Sequence, residues 1–183
     1  VKNPILTNLD LIKIRGMQVK GMKVSTLSML YDKKTPLKDA IEHLYVQADQ
    51  AHQDGATILV LSDRGVDQEH MAIPSLLAVS ALQQYLVKTR KNTAVSIIVE
   101  TAEPCEVHHF ATLLGFGASA VNPYLALDTL YELIGTGVLD KDYSQACKDY
   151  IHAVVSGIVK IASKMGISTI QSYPVSYTHL RAH

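Results

Sequence analysis

The sequence predicts an α/β fold in which repeated βα units form a mostly parallel open sheet, similar to part of a barrel, with helices on its faces. The hydrophobic period changes repeatedly between about two and about 3.6 residues, as expected for strands that alternate with helices. Three predicted helix-to-strand junctions also share one pattern, a glycine followed directly by a short apolar segment, at Gly55, Gly117 and Gly166. At 183 residues the chain is too short for a closed eight-unit barrel, which needs about 250 residues.

Each strand is predicted from a short run of apolar, often β-branched residues that ends in polar residues. The run at Thr57–Leu61 is continuously apolar after its first residue, which is typical of a strand buried on both faces of a sheet. The predicted extended segments, in order, are Pro4–Leu6, Val24–Leu30, Thr57–Leu61, Ala94–Val99, Ala118–Val121 and Ile167–Ile170.

Each helix is predicted from apolar residues that recur every three or four positions. Thr35 and Pro36 are typical of a helix start, as the cap and the first helical residue. The helix that begins at Pro74 is expected to turn both Leu76 and Leu77 inward. The predicted helices, in order, are Leu9–Ile14, Pro36–Ala51, Pro74–Lys88, Pro104–Leu114, Leu127–Ile134 and Tyr143–Met165.

Composition excludes several classes of function. The formal net charge is zero and the chain has no Trp and only two Phe, which argues against a nucleic-acid partner. No apolar run approaches the roughly 20 residues of a membrane-spanning helix. The two cysteines, Cys105 and Cys147, are far apart, which predicts two buried or half-buried free thiols in a reducing, cytoplasmic environment.

Polar residues follow three of the predicted strands where those strands end. They are Asp63, Arg64, Glu100 and Asn122. Open parallel sheets bind ligands at the carboxyl ends of their strands, so these residues are candidates for holding a small polar molecule. The alternative is that strand ends simply become polar on reaching solvent, with Asp63 pairing with Arg64 or capping the next turn.

A second candidate site is the group around Glu106 and His109. Three residues apart on a helix, they could share one face and bind a metal ion. The sequence has no HExxH or paired Glu-x-x-His motif to complete such a site. We therefore predict no metal site, with one of His108 and His109 packed and the other solvated.

Several longer segments together resemble the large subunit of glutamate synthase. They occur in that family's order over nearly the whole chain, which makes the resemblance more specific than any single motif. The segments are Pro4–Leu6, Ile58–Arg64, Ile73–Val79, Ile98–Ala102, His108–Ala118, Asn122–Ala126 and Ser163–Tyr173.

The resemblance implies a role within a multidomain flavoenzyme. In that family an amidotransferase domain releases ammonia from glutamine, and an FMN domain uses it to convert 2-oxoglutarate into glutamate. The resemblance places this segment in the central domain between them, which holds the two domains in register and helps to line the ammonia path. It implies FMN, an iron–sulfur cluster, and a small subunit or ferredoxin as electron donor, all bound outside this segment, and it carries over no catalytic or cofactor residue.

The resemblance also predicts domain boundaries. Residues 1–159 are expected to be the C-terminal part of the central domain, and residues 160–173 the start of the FMN domain. Residues 174–183 depart from the family and resemble a translated sequencing-library adapter, so we expect a non-native tail there. With no initiator Met, the chain is expected to be an inactive fragment. The alternative is a free-standing α/β binding module or small enzyme that uses the strand-end residues.

Overall fold

A computed structural model describes residues 3–167, which form six helices and six short strands. The strands are β1 (Val24–Ser28), β2 (Leu30–Asp32), β3 (Ile58–Ser62), β4 (His70–Ala72), β5 (Ser96–Glu100) and β6 (Ala118–Asn122). The helices are α1 (Asn8–Arg15), α2 (Leu37–Gln53), α3 (Ser75–Lys88), α4 (Val107–Gly115), α5 (Tyr124–Gly135) and α6 (Tyr143–Lys164). The predicted final strand, Ile167–Ile170, lies almost entirely outside the described residues.

The main sheet is open and all its strands are parallel, in the order β1-β3-β5-β6. The segment around Ile5 extends this sheet in the same direction beside β6, where the Leu6 N–H donates to the Val121 carbonyl at 2.8 Å. Because every strand runs the same way, all carboxyl ends meet at one edge, which we call the strand-end edge. The predicted α/β class and the parallel open sheet are confirmed.

The two faces of the sheet are covered unequally. One face packs against α2, α3, α4 and α6 and forms the larger core, centred on residues such as Leu59, Val99 and Phe110. The other face carries a smaller core in which Leu11 and Ile14 of α1 cover Val60, Ile98 and Ala120. A single eight-residue helix therefore shields the second face, and it does so next to the strand-end edge.

The glycine junctions behave as the sequence predicts. Gly55 after α2 has φ of +85°, and Gly117 after α4 has φ of +118°. Residues with a Cβ rarely adopt this left-handed region, so glycine ends each helix and lets the next strand begin at once. At Gly117 an added Cβ would also lie only 2.7 Å from Gln83 Cγ, which leaves no room for a side chain.

Two local predictions are wrong. The strand expected at Val24–Leu30 divides at the buried Met29, and β2 leaves the main sheet to pair antiparallel with β4, which was not predicted. Leu76 and Leu77 do not pack inward, since each is more than a third exposed. The buried stripe of α3 is formed instead by Ser75, Ala78, Val79, Leu82 and Leu86.

Candidate functional site

Glu100 lies at the centre of the strand-end edge and is almost completely buried, with a side chain only 3% exposed. Arg15 reaches it with two donors, Nη2 to Oε2 at 2.7 Å and Nη1 to Oε1 at 3.3 Å. Arg64 donates from Nε to Oε1 at 2.8 Å, and the Ser62 hydroxyl donates to Oε2 at 2.6 Å. Two guanidinium groups and a hydroxyl therefore converge on one carboxylate.

The βα topology explains why these residues meet. Ser62 and Glu100 are the last residues of β3 and β5 and lie opposite each other in the parallel register. Val60 and Ile98, two residues earlier on the same strands, pack against α1. Because residues two apart along a strand point to the same face, the side chains of Ser62 and Glu100 also point to the face that α1 covers. Arg15 occupies the last turn of α1, where a cation also interacts favourably with the helix dipole.

The environment keeps the Glu100 carboxylate charged. Burial raises its pKa, but the hydrogen bonds from Arg15, Ser62 and Arg64 lower it by more, so the pKa lies below its usual value of 4.5. Four donors also occupy the lone pairs of its two oxygens. A carboxylate that is ionised and saturated in this way is suited to holding elements together and poorly suited to acting as a general base.

Asp63 is buried next to this cluster but binds different partners. Its Oδ2 accepts hydrogen bonds from the Thr101 hydroxyl at 2.6 Å and from the Ala102 N–H at 3.0 Å. The expected alternative, a pair between Asp63 and Arg64, is therefore wrong, because Arg64 turns to Glu100 instead. Asp63 fastens the loop after β5.

Asn122 holds the N-terminal segment against the sheet. Its amide donates to the Leu6 carbonyl and to Asn8 Oδ1, both at 3.0 Å, and its side chain is fully buried. Within the described part of the chain, Asn122 Oδ1 and Asp63 Oδ1 are buried side-chain acceptors without a hydrogen-bond partner. Asn122 thus links the extended segment and α1 to the end of β6.

Tyr124 completes the strand-end edge at the start of α5. The Arg64 guanidinium carbon lies 3.9 Å from the centroid of its ring, within the range of a cation–π interaction. Burial and then the Asp63 carboxylate raise the pKa of Tyr124 to about 12, so its hydroxyl is protonated at neutral pH. Between α1 and this edge lies a cavity of about 250 Å³, lined by Asn8, Leu11, Ile12, Arg15, Arg64 and Glu100.

The structure brings the predicted residues to one edge but gives them different partners. Arg64 and Glu100 are in direct contact, Asn122 binds the N-terminal segment, and Asp63 binds the loop after β5. Sequence reasoning missed Arg15 and Ser62. The two-residue spacing along β3 could have suggested Ser62, but no local signal connects Arg15 to a residue 85 positions away.

The second predicted group, around Glu106 and His109, is used for helix capping. His109 Nδ1 accepts the backbone N–H of Cys105 at 3.2 Å and that of Glu106 at 3.4 Å. His108 and His109 are both exposed, so the expectation that one of them is packed is wrong. Among residues 3–167, no group of three or more His, Cys, Asp or Glu side chains is placed to hold a metal ion.

The iron–sulfur cluster that the resemblance implies for the whole protein does not fit the cysteines of this chain. Its two cysteines, Cys105 and Cys147, are too few for the three or four thiolates that commonly hold an iron–sulfur cluster. Both are free, and Cys147 is buried as expected, whereas Cys105 is exposed. None of the helices in the described part is long and apolar enough to cross a membrane.

Comparison with known proteins identifies the family. The glutamate synthase central domain family matches residues 1–179. The chain is 41% identical to the NADPH-dependent glutamate synthase large chain of Bacillus subtilis over 170 residues, which cover 93% of this chain and 11% of that protein. It is 38% identical to the ferredoxin-dependent glutamate synthase of Pyropia yezoensis, covering 94% of this chain and 12% of that protein.

The similarity extends to a fungal relative. The NADH-dependent glutamate synthase of Saccharomyces cerevisiae is 34% identical over 186 residues, covering 94% of this chain and 9% of that protein. The chain thus spans about a tenth of the length of these relatives. With a family match over nearly all its residues and relatives of this identity, the chain belongs to the glutamate synthase central domain family.

Proposed function

We propose that this chain serves as the central, non-catalytic part of a glutamate synthase. It holds an amidotransferase domain and an FMN domain of the same cytoplasmic polypeptide in register, and its strand-end edge lines part of the ammonia path between them. The whole protein transfers the amide nitrogen of glutamine to 2-oxoglutarate with electrons from a small subunit or ferredoxin. FMN and the iron–sulfur cluster supply that redox chemistry from other domains.

The saturated Glu100 cluster is the observation that carries this proposal. Its carboxylate is ionised, buried and bound by four donors from Arg15, Arg64 and Ser62, so it joins α1, β3 and β5 instead of reacting. The exposed end of the cluster borders an open cavity at the carboxyl ends of the strands. A rigid wall of this kind suits a path that must keep ammonia away from bulk water.

The domain boundaries stay part of the proposal. We place the end of the central domain near residue 159, the start of the FMN domain at residues 160–173 and a non-native tail at residues 174–183. Genomic sequence on both sides of this chain tests these boundaries, since the proposal requires an open frame for an amidotransferase upstream and for a flavin domain downstream.

The functional test compares nitrogen coupling in the complete polypeptide that contains this chain. We expect Glu100→Gln to raise the amount of glutamine hydrolysed per glutamate formed, because a loosened edge lets ammonia escape. The matched control is Glu42→Gln on the exposed face of α2, where Glu42 lies 3.9 Å from the Lys38 ammonium group. An unchanged ratio in folded Glu100→Gln protein would overturn the role in the path.

The alternative is a free-standing binding module or small enzyme that uses the strand-end residues. In its cofactor-based versions it predicts that the purified chain by itself binds FMN or a metal ion in stoichiometric amount. We expect neither, and either result would contradict the scaffold role.

A further inference from the structure

Arg64 is held in a fixed orientation by two contacts. Its Nε–H donates to Glu100 Oε1 at 2.8 Å, and its guanidinium carbon lies 3.9 Å above the centre of the Tyr124 ring. One contact fixes the position of the guanidinium edge and the other fixes its plane. The side chain is nevertheless 45% exposed, so the far end of the guanidinium group faces accessible space.

The two terminal nitrogens of Arg64 have no acceptor among residues 3–167. In contrast, Arg15 commits both of its terminal nitrogens to Glu100 and its Nε to the Thr26 hydroxyl. The two arginines therefore differ in the donors they have available. Arg15 donates from all three of its nitrogens within the fold, whereas the two terminal nitrogens of Arg64 still offer two parallel N–H groups. This end of a guanidinium group matches the two oxygens of a carboxylate.

The local charge also favours an anion. Among the residues that line the cavity, Arg15 and Arg64 carry two positive charges against the single negative charge of Glu100, which leaves a balance of one positive charge. The Asp63 carboxylate lies nearby, beside Tyr124, but it does not line the cavity, and its Oδ2 is bound by the Thr101 hydroxyl and the Ala102 N–H. One remaining charge and one planar pair of donors suit a carboxylate better than a phosphate dianion, which needs more donors.

We propose that Arg64 is the anchor of a binding site for a carboxylate group in the cavity between α1 and the strand-end edge. The cavity of about 250 Å³ is large enough for a small organic acid or for one acidic side chain, and Leu11 and Ile12 form its apolar side. Because Arg64 is already fixed by Glu100 and Tyr124, binding costs little side-chain entropy. The inference rests on the proposed function in one respect only, because that function supplies the neighbouring domain as one of the two sources of the carboxylate.

Titration of the 183-residue chain with succinate tests the free-acid source. The readout is the ¹⁵N side-chain resonances of arginine, with sodium chloride at equal ionic strength as the reference. We expect a saturable shift of the Arg64 resonances, and Arg64→Lys is expected to weaken binding by roughly tenfold because lysine lacks the paired donors. Arg90→Lys is the matched control, since Arg90 follows α3 at the opposite end of the sheet from the cavity.

The complete polypeptide tests an acidic side chain from a neighbouring domain as the source. If such a side chain occupies the site, Arg64→Lys lowers the melting temperature of the complete polypeptide by more than it lowers that of the 183-residue chain. Arg90→Lys is expected to have equal effects in both proteins. The carboxylate site is overturned if succinate gives no saturable shift and Arg64→Lys has equal effects in both proteins.

These outcomes are separate from those of the nitrogen-coupling test. A response to Glu100→Gln without any carboxylate effect at Arg64 leaves the scaffold role in place and removes only the site. Carboxylate binding together with an unchanged coupling ratio supports the site and rejects the role in the ammonia path.

Discussion

The close packing of α4 on α6 gives the sharpest stability prediction for this fold. Gly157 lies in the interior of α6, and an added Cβ there would lie 2.6 Å from both Cγ1 and Cγ2 of Val107 and 3.2 Å from its Cβ. Val107 is the first residue of α4 and is β-branched, so its methyl groups cannot easily turn away. Gly157→Ala is therefore expected to push the two helices apart.

Two opposing effects determine the size of the change. Alanine favours the helix by about 1 kcal/mol over glycine. Overpacking a well-filled core costs about 1–3 kcal/mol, and two methyl clashes place this site in the upper part of that range. We expect a net loss of about 1–2 kcal/mol in the free energy of unfolding, which corresponds to a melting temperature lower by about 3–6 °C.

The measurement is urea unfolding followed by circular dichroism, with the m-value as a check that the mechanism of unfolding is unchanged. Gly135→Ala is the matched control, because Gly135 ends α5 and an added Cβ meets no atom within 4 Å there. We expect that substitution to stabilise the protein by about 0.5 kcal/mol. Adding Val107→Ala to Gly157→Ala removes both clashing methyl groups and is expected to recover part of the loss. A Gly157→Ala protein as stable as the wild type would refute this reasoning.

Three further substitutions test other features of the fold. Arg90 has a φ of +58°, so Arg90→Gly is expected to raise the free energy of unfolding in urea by about 1 kcal/mol. Gln47 pairs its side-chain amide with both the N–H and the carbonyl of Ser28 on the edge strand β1. Gln47→Ala is expected to cost about 1–2 kcal/mol and to increase aggregation measured by light scattering. Because the pKa of Glu100 is lowered by folding, its stabilisation is present above the ordinary value of 4.5 and is lost as the pH falls through the lower value in the folded state. Glu100→Gln is thus expected to cost about 2 kcal/mol near pH 7, and unfolding curves are expected to show a smaller difference from wild type near pH 3.

The sequence predicted the sheet well because a parallel sheet leaves strong local signals. The period of the apolar residues separates strands from helices, and the glycines that end α2 and α4 mark the return of the chain to the sheet. The antiparallel β2–β4 pair was missed for a related reason. Its two strands are three residues long and pair antiparallel, so they carry neither the apolar run nor the crossover helix of a βα unit.

The sequence predicted where the candidate site lies, at the strand-end edge, but not which residues contact one another there. The rule that strand ends of a parallel sheet collect polar residues selected Arg64 and Glu100, which the structure places in contact. It could not separate Asp63 from Arg64, because neighbouring residues at a strand end point to opposite faces. Arg15 escaped the prediction because it reaches the site only after α1 has packed across the sheet, and that packing depends on residues far apart in the chain.

A buried ion pair is an inefficient way to stabilise a protein, since desolvation of the charges offsets much of their attraction. Apolar side chains at positions 15 and 100 could hold α1 with similar strength. What they could not do is fix its direction, because apolar contacts allow a short helix to slide or rotate on the sheet. The two donors of Arg15 bind α1 to a carboxylate that Ser62 and Arg64 also hold, which selects one position of α1. The same carboxylate orients Arg64 at the cavity. The cluster is therefore better explained by the geometry that it imposes on the strand-end edge than by the stability that it adds.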